Sequence, residues 1–275
     1  MSNELAERAI GVFDSGVGGL TVLAELQKAL PTESFLYLGD TARVPYGSRS
    51  PETIIRYSKR VAGHLVRKKI KALVIACNTA TTYAFEELKR ACRPLNIEVF
   101  GVIEPGARAA LLQSKNNYIA VLGTEGTIKG KKYHEILTGL APEIRIQEKA
   151  CPLFVPLIEE GWHHTDIAKM TAEKYLQEVQ DVDTVILGCT HYPLLKTLLQ
   201  QLRPNMTFID SAEATARFVR DSLREKKLLS SSSVGKTSYL VTDNLERFER
   251  VGYYFLNHPP HPLELIDIHD SDELS

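Results

Sequence analysis

VIACNTAT, residues 74–81, is an apolar run that ends on a cysteine and at once turns polar. Val74 and Ile75 read as the end of a buried parallel strand, and Asn78, Thr79, Thr81 and Thr82 as a polar turn leading into a helix that includes Phe85 and Leu88. Cys77 then stands at a strand's carboxyl end, the edge of an open α/β sheet where loops diverge and helix N-termini offer unpaired N–H groups to ligands. A cysteine packed as a small hydrophobe fits the same position.

The layout recurs in TVILGCTHYPLL, residues 184–195. An apolar strand, Val185 to Leu187, again runs through a small residue into a cysteine, Cys189, and then into a polar turn marked by Tyr192-Pro193. Two segments built alike read as corresponding parts of two similar halves, whose thiols face each other across a cleft. Around them, apolar strand candidates alternate with amphipathic helical stretches: Ala9 to Phe13, Phe35 to Leu38, Leu73 to Ala76, Val99 to Val102, Tyr118 to Leu122, Thr184 to Leu187 and Thr207 to Ile209. Leu20 to Leu30 and Pro51 to Lys69 have helical length and spacing. This alternation predicts an α/β fold, doubly wound, with parallel sheets covered by helices on both faces. The chain crosses between halves near GVIEPG (101–106) and again near DSAEATAR (210–217). SYLVTDN (238–244) reads as a further strand and turn, and the stretch from His258, with its prolines and acids, as a surface or disordered tail.

Bulk properties exclude several classes. At 275 residues the chain is long enough for one large or two modest domains. Its 33 basic and 34 acidic residues are interspersed, which gives no electrostatic footprint for nucleic acid or a membrane surface. MSNELAERAIGVFDS carries early charges and no apolar signal region, and no run approaches a transmembrane length, so a cytoplasmic protein is expected. Cys77, Cys92, Cys151 and Cys189 are widely spaced, without a CxxC pair, and read as reduced thiols. Cys92, before Pro94 at a helix end, and Cys151, beside Pro152, read as structural.

IGVFDSGVGGLTVL, residues 10–23, is a strand, a glycine-rich turn and a helix. Gly16, Gly18 and Gly19 suit a tight turn or close approach to an anion, and Asp40 lies where a ribose-binding acid is expected. Against a dinucleotide site, Thr21 replaces the third glycine and Asp14 would repel a pyrophosphate. A carboxylate there suits a small cationic group, such as a substrate ammonium, or the adjustment of a nearby thiol. No metal site is expected, because Cys-x-His is no standard ligand spacing and HExxH is absent. His163-His164 reads as a surface pair on a helix.

His191, two residues beyond Cys189, has a sharper role available. An imidazolium and a helix N-terminus both lower a thiol's pKa from about 8.5 toward neutrality. A Cys–His nucleophile of a thiol hydrolase fits this too, but needs a single cysteine. Two thiols presented alike suit stereoinversion at carbon, one thiolate removing a proton from one face while the opposing thiol protonates the other. Turn amides with Asn78, Thr79 and Thr190 are candidate stabilisers of the carbanion. No pyridoxal-phosphate signature is evident, although a lysine Schiff-base site is hard to exclude from sequence, and an amino-acid sensor on the same scaffold would need neither thiol.

FDSGVGGLTV (13–22), YLGDTARVPYGSRS (37–50), ACNTAT (76–81), LGTEGTI (122–128), CPLFVPLIEEG (151–161) and GCTHYPLL (188–195) stand in the order in which the glutamate racemase family carries them. The chain resembles that family, within the aspartate/glutamate racemase superfamily. The resemblance implies two similar doubly wound parallel-sheet lobes related by pseudo-twofold symmetry, with the active site in the cleft between them. Residues 1–101 plus 212–275 would form the first lobe and 102–211 the second. It also implies cofactor-independent interconversion of L- and D-glutamate for peptidoglycan, with no metal. Cys77 and Cys189 resemble the two acid/base thiols, Asp14 and His191 their polar partners, and Glu159 a further acid near the second thiol. Asp14, Ser15, Tyr46, Gly47, Asn78, Thr79, Thr190 and His191 resemble the substrate-binding set, and Asp40 another motif acid. A homodimer and a cell-wall-precursor activator belong to what varies within the family. KGKKYHE (129–135) departs from the serine and small residue that many relatives carry before the tyrosine, so Lys129 to Lys132 leave lobe contacts and activation undecided.

Overall fold

The computed structural model describes residues 2–274. Helix α1 (Ser2–Ala6) leads into β1 (Ile10–Asp14), and strand and helix then alternate: α2 (Leu20–Ala29), β2 (Phe35–Gly39), α3 (Pro51–Arg67), β3 (Ala72–Ile75), α4 (Asn78–Cys92), β4 (Glu98–Gly101) and α5 (Ile103–Gln113). The series continues with β5 (Tyr118–Gly123), α6 (Glu125–Lys129), α7 (Lys132–Leu140), β6 (Arg145–Ala150), α8 (Phe154–Glu159), α9 (Asp166–Leu176), β7 (Thr184–Gly188), α10 (Lys196–Leu202), β8 (Thr207–Asp210) and α11 (Ser211–Glu225). It ends with β9 (Thr237–Val241), α12 (Leu245–Leu256) and β10 (Leu263–Leu265).

These strands form two parallel sheets, in the orders β10-β9-β2-β1-β3-β4 and β6-β5-β7-β8. The core order β2-β1-β3-β4 thus recurs as β6-β5-β7-β8, and β5 and β7 stand in the second sheet where β1 and β3 stand in the first. Pseudo-symmetry of this kind puts the sequel of β3, Cys77, and the sequel of β7, Cys189, at equivalent strand ends. Each lies beside the point where the chain switches from one side of its sheet to the other, and there the loops splay open. Every residue of β1, β3 and β7 is buried, as central parallel strands covered on both faces require. Local signals agree with the elements they start: Pro51 opens α3 behind Ser50, whose hydroxyl accepts a hydrogen bond from the Thr53 N–H. α11 packs on both α2 and α5, so the apolar core under the first sheet continues into the second.

Three expectations change, and one strand had no reading. Asn78 to Thr82 are the first turn of α4 rather than a polar loop, and Cys77 itself is the N-cap. β6, RIQEKA, lies at a sheet edge, half-buried beyond an exposed Arg145, which is why it lacks an apolar signature. The segment after His258 is ordered: β10 extends the first sheet, and Ile268 and Asp272 are buried. His163 and His164 sit in the turn between α8 and α9, not on a helix, with ring centroids 4.1 Å apart and His163 buried. Gly161, at φ 75°, redirects the chain there.

Candidate active site

A cavity of about 420 Å³ opens between the carboxyl ends of the two sheets. Both Cys77 and Cys189 line it, together with Ser15, Tyr46, Gly47, Asn78, Thr79, Thr190, His191 and Glu159. Asp14, fully buried, lies just behind this wall. The candidates drawn from three loops of the first half and two segments of the second are therefore brought to one place. Cys92 and Cys151 are buried away from it in the cores of the two halves.

Cys77 caps α4: its sulfur accepts from the Ala80 N–H at 3.4 Å and donates toward Ser15 Oγ at 3.6 Å. Burial, reinforced by the Asp14 carboxylate, pushes its pKa up to about 12, against the pull of the hydrogen bonds with Ala80 and Ser15. Asp14 closes β1, and its Oδ2 accepts from the Gly16 N–H at 2.9 Å. Burial raises Asp14 as well, opposed by His191 and by the amides of the glycine-rich turn. These amides serve the carboxylate of this chain, which accounts for a glycine-rich turn without a nucleotide.

The second thiol has a different neighbour. Cys189 Sγ lies 3.9 Å from His191 Nδ1, and His191 Nε2 lies 3.0 Å from Glu159 Oε1. Burial works against the imidazolium, yet Cys189 and Glu159 together lift His191 to about 10. Glu159 is lowered despite its burial, by His191 and by Arg247. The Phe255 ring stands perpendicular to the imidazole, their centroids 5.4 Å apart. One thiol is thus paired with a carboxylate, the other with a cation.

Hydroxyls and one amide complete the wall. Thr190 Oγ1 donates to Asp14 Oδ1 at 3.4 Å, and Thr21 Oγ1 donates to the Thr190 carbonyl at 3.0 Å, joining the two halves. Thr79 lies within 2.9 Å of Thr124 and 3.2 Å of Thr127, oxygen to oxygen. Asn78 accepts from the Tyr133 hydroxyl at 2.8 Å through Oδ1, while its buried Nδ2 has no partner among the described residues. Tyr46 donates to Asp40 Oδ2 at 2.6 Å, and Asp40 also takes Arg43 at 2.7 Å and Thr242 at 3.0 Å. Asp40 is therefore an anchor for the loop that carries Tyr46 and Gly47, at a remove from the cavity. A Cβ on Gly47 would come within 2.9 Å of Thr124 Cβ, so glycine lets the two halves close at this point.

Thr124 and Arg247 line the cavity and were not among the sequence candidates. Thr124 follows β5, the counterpart of β1, so the repeat places it where Ser15 stands in the first half. Arg247 comes from α12, outside every recognisable motif, and pairs with Glu159 Oε2 at 3.0 Å and Glu160 Oε1 at 3.4 Å.

Fold and site together define a bilobal α/β protein with a thiol at the switch point of each lobe. The chain belongs to the Asp/Glu/Hydantoin racemase family, whose model matches residues 10–219. It is 50% identical to the glutamate racemase of Geobacter metallireducens over 253 residues, covering 90% of this chain and 93% of the relative. The structure of Francisella tularensis glutamate racemase in complex with D-glutamate superposes with a TM-score of 0.89 at 34% identity, covering 95% of this chain and 98% of that one. Escherichia coli glutamate racemase, solved with L-glutamate and the activator UDP-MurNAc-ala, superposes with a TM-score of 0.77 at 29% identity, covering 95% and 99%. Among the described residues no helix is long and apolar enough to cross a membrane.

Proposed function

We propose that the protein interconverts L- and D-glutamate, with Cys77 and Cys189 acting on opposite faces of the α-carbon. The observation that carries the reading is the pair of cavity-lining thiols at equivalent ends of β3 and β7. In one direction a thiolate takes the α-proton, the carbanion is held by fixed donors, and the opposing thiol delivers its proton to the other face; the reverse direction exchanges the two roles. Asn78 Nδ2, without a partner among the described residues, and the Thr79–Thr124 hydroxyls are the donors available to the substrate's carboxylates.

The charge pattern suits an amino acid. Burial and Asp14 hold Cys77 protonated. A substrate ammonium beside Asp14 neutralises that carboxylate and adds a positive charge, both of which favour the thiolate. Cys77 is then activated by the molecule it acts on. Cys189 has its cation built in, since His191 stays charged through neutral pH. Val44, Pro45, Val155 and Pro156 give the cavity an apolar wall that strengthens these interactions.

By the same reading the lobes comprise residues 1–101 plus 212–275 and 102–211, the enzyme works in the cytoplasm, and its D-glutamate supplies peptidoglycan. An activator resembling the UDP-MurNAc-ala bound by the Escherichia coli relative, and a homodimer, belong to the same proposal. The test is racemisation followed by circular dichroism, without added cofactor, for L-glutamate and L-aspartate. Wild type is expected to act on glutamate, and Cys77→Ala and Cys189→Ala each to lose about 10²–10⁴-fold in kcat with the fold retained. Activity on aspartate alone would overturn the substrate, and full activity in either variant the two-thiol assignment.

A further inference from the structure

Arg247 stands at the cavity mouth on α12, a helix that follows β9 of the first sheet, while Glu159 and Glu160 end α8 beside the second. Its guanidinium holds Glu159 Oε2 at 3.0 Å, and the other oxygen of the same carboxylate holds His191 Nε2 at 3.0 Å. His191 Nδ1 in turn faces Cys189 Sγ at 3.9 Å. The same helix presses Phe255 edge-on against the His191 ring. α12 therefore reaches the imidazole by two routes, one polar and one apolar. Glu159 has both oxygens committed, and its orientation is fixed from two sides.

We infer that Arg247 is a positioning residue, which clamps Glu159 so that His191 is held as an imidazolium against Cys189. The clamp joins the halves of the molecule at the cleft mouth, so formation of the cleft and preparation of the second thiol are one event. Arg247 touches neither thiol and acts through the carboxylate alone.

The groups facing His191 are Cys189 on its own segment, Glu159 from α8, Asp14 from β1 and, through Glu159, Arg247 from α12, which Glu160 also holds. Loss of Arg247 acts on the imidazole in two opposite senses. Removing a nearby positive charge favours the imidazolium, but weakly, since Arg247 is 45% exposed and screened. Releasing Glu159 to turn toward water removes the hydrogen bond and the anion that lift His191, and so lowers its pKa. If the clamp is real, the second effect prevails. The sign of the shift separates a positioning arginine from a bystander cation.

The experiment is a titration of the His191 imidazole by NMR in protein labelled at histidine, with the signal assigned by its absence in His191→Asn, for wild type, Arg247→Ala, Arg247→Lys and Glu159→Gln. The midpoint is expected to fall by about one unit in Arg247→Ala and in Glu159→Gln, and to stay near wild type in Arg247→Lys, which keeps one charged donor on Glu159. In the same series kcat/KM for glutamate should fall about tenfold in Arg247→Ala, equally in both directions because the enantiomers have equal free energy, and the alkaline limb of its pH profile should move acidward. An unmoved or raised midpoint in Arg247→Ala overturns the inference, whatever happens to turnover. The kinetic arm rests on the racemase reading and the imidazole titration does not, so a protein that fails to racemise glutamate still decides the clamp.

Discussion

At Cys77 two influences on one sulfur oppose each other, and their sizes decide the outcome. A helix N-terminus stabilises a neighbouring anion by about 0.3–1 kcal/mol, up to ~2 when partly buried. Burial and Asp14 carry the thiol from 9.0 to about 12, on the order of 4 kcal/mol at 1.36 kcal/mol per unit. The helix cap loses, and the free thiol waits for a cation. At Cys189 the cation is His191, whose folded value of about 10 lies above the ordinary 6.5. A group raised in this way contributes stability that is complete below the unfolded value, about pH 6.5, and is lost as pH climbs through about 10. Wild type is therefore expected to exceed His191→Asn in denaturant midpoint near pH 6.5, with the gap closing toward pH 10. Denaturant melts of the two proteins across that range check it, and a gap that stays constant would contradict the assigned charge state.

Among the elements, the strand-to-cysteine segments were legible because central parallel strands are buried on both faces and read as unbroken apolar runs. β6 and β10 were not, for a physical reason: each is an edge strand, exposed on one side, so RIQEKA and LEL alternate or mix polar residues as solvent allows. The first turn of α4 was misread because Asn78, Thr79, Thr81 and Thr82 are residues of loops and caps in most settings. Here Asn78 and Thr79 line the cavity, and Thr81 and Thr82 donate to the Ile75 and Asn78 carbonyls. The catalytic candidates carried local signatures, whereas Arg247 lies in a helix with none, and only the return of the chain to the first sheet brings it to the cleft. Gly47 shows how closely the two halves' loops are fitted: Gly47→Ala puts a methyl 2.9 Å from Thr124 Cβ, forcing the 44–48 loop away from β5. The expected result is a fall in kcat/KM much larger than the loss of thermal stability, since the strain is relieved by opening the cleft mouth rather than by unfolding. Steady-state kinetics beside a thermal melt would show it, and a variant that loses stability without losing activity would contradict it.

For the whole molecule, the repeat β2-β1-β3-β4 and β6-β5-β7-β8 matches the near-mirror relation of the two enantiomers that the proposed reaction connects. The match is incomplete in an informative way. The counterpart of Asp14 in the second half is Gly123, with Thr124 matching Ser15, and the counterpart of Asn78 and Thr79 is Thr190-His191, so a symmetric fold presents two thiols with opposite electrostatic partners. In the proposed reaction one half needs the substrate's ammonium, and the other carries its own cation. Alternation of roles between two distinct acids is the central claim, and isotope placement reads it directly. L-Glutamate, and separately D-glutamate, is incubated with enzyme in D₂O and stopped at low conversion, and the α-hydrogen of both enantiomers is analysed by chiral separation and mass spectrometry. Two thiols on opposite faces predict product that carries deuterium, from the exchanged second thiol, while recovered substrate keeps its protium, in both directions. Protium transferred into the product, or deuterium appearing equally in recovered substrate and product from the start, would show a single base serving both faces and contradict the account.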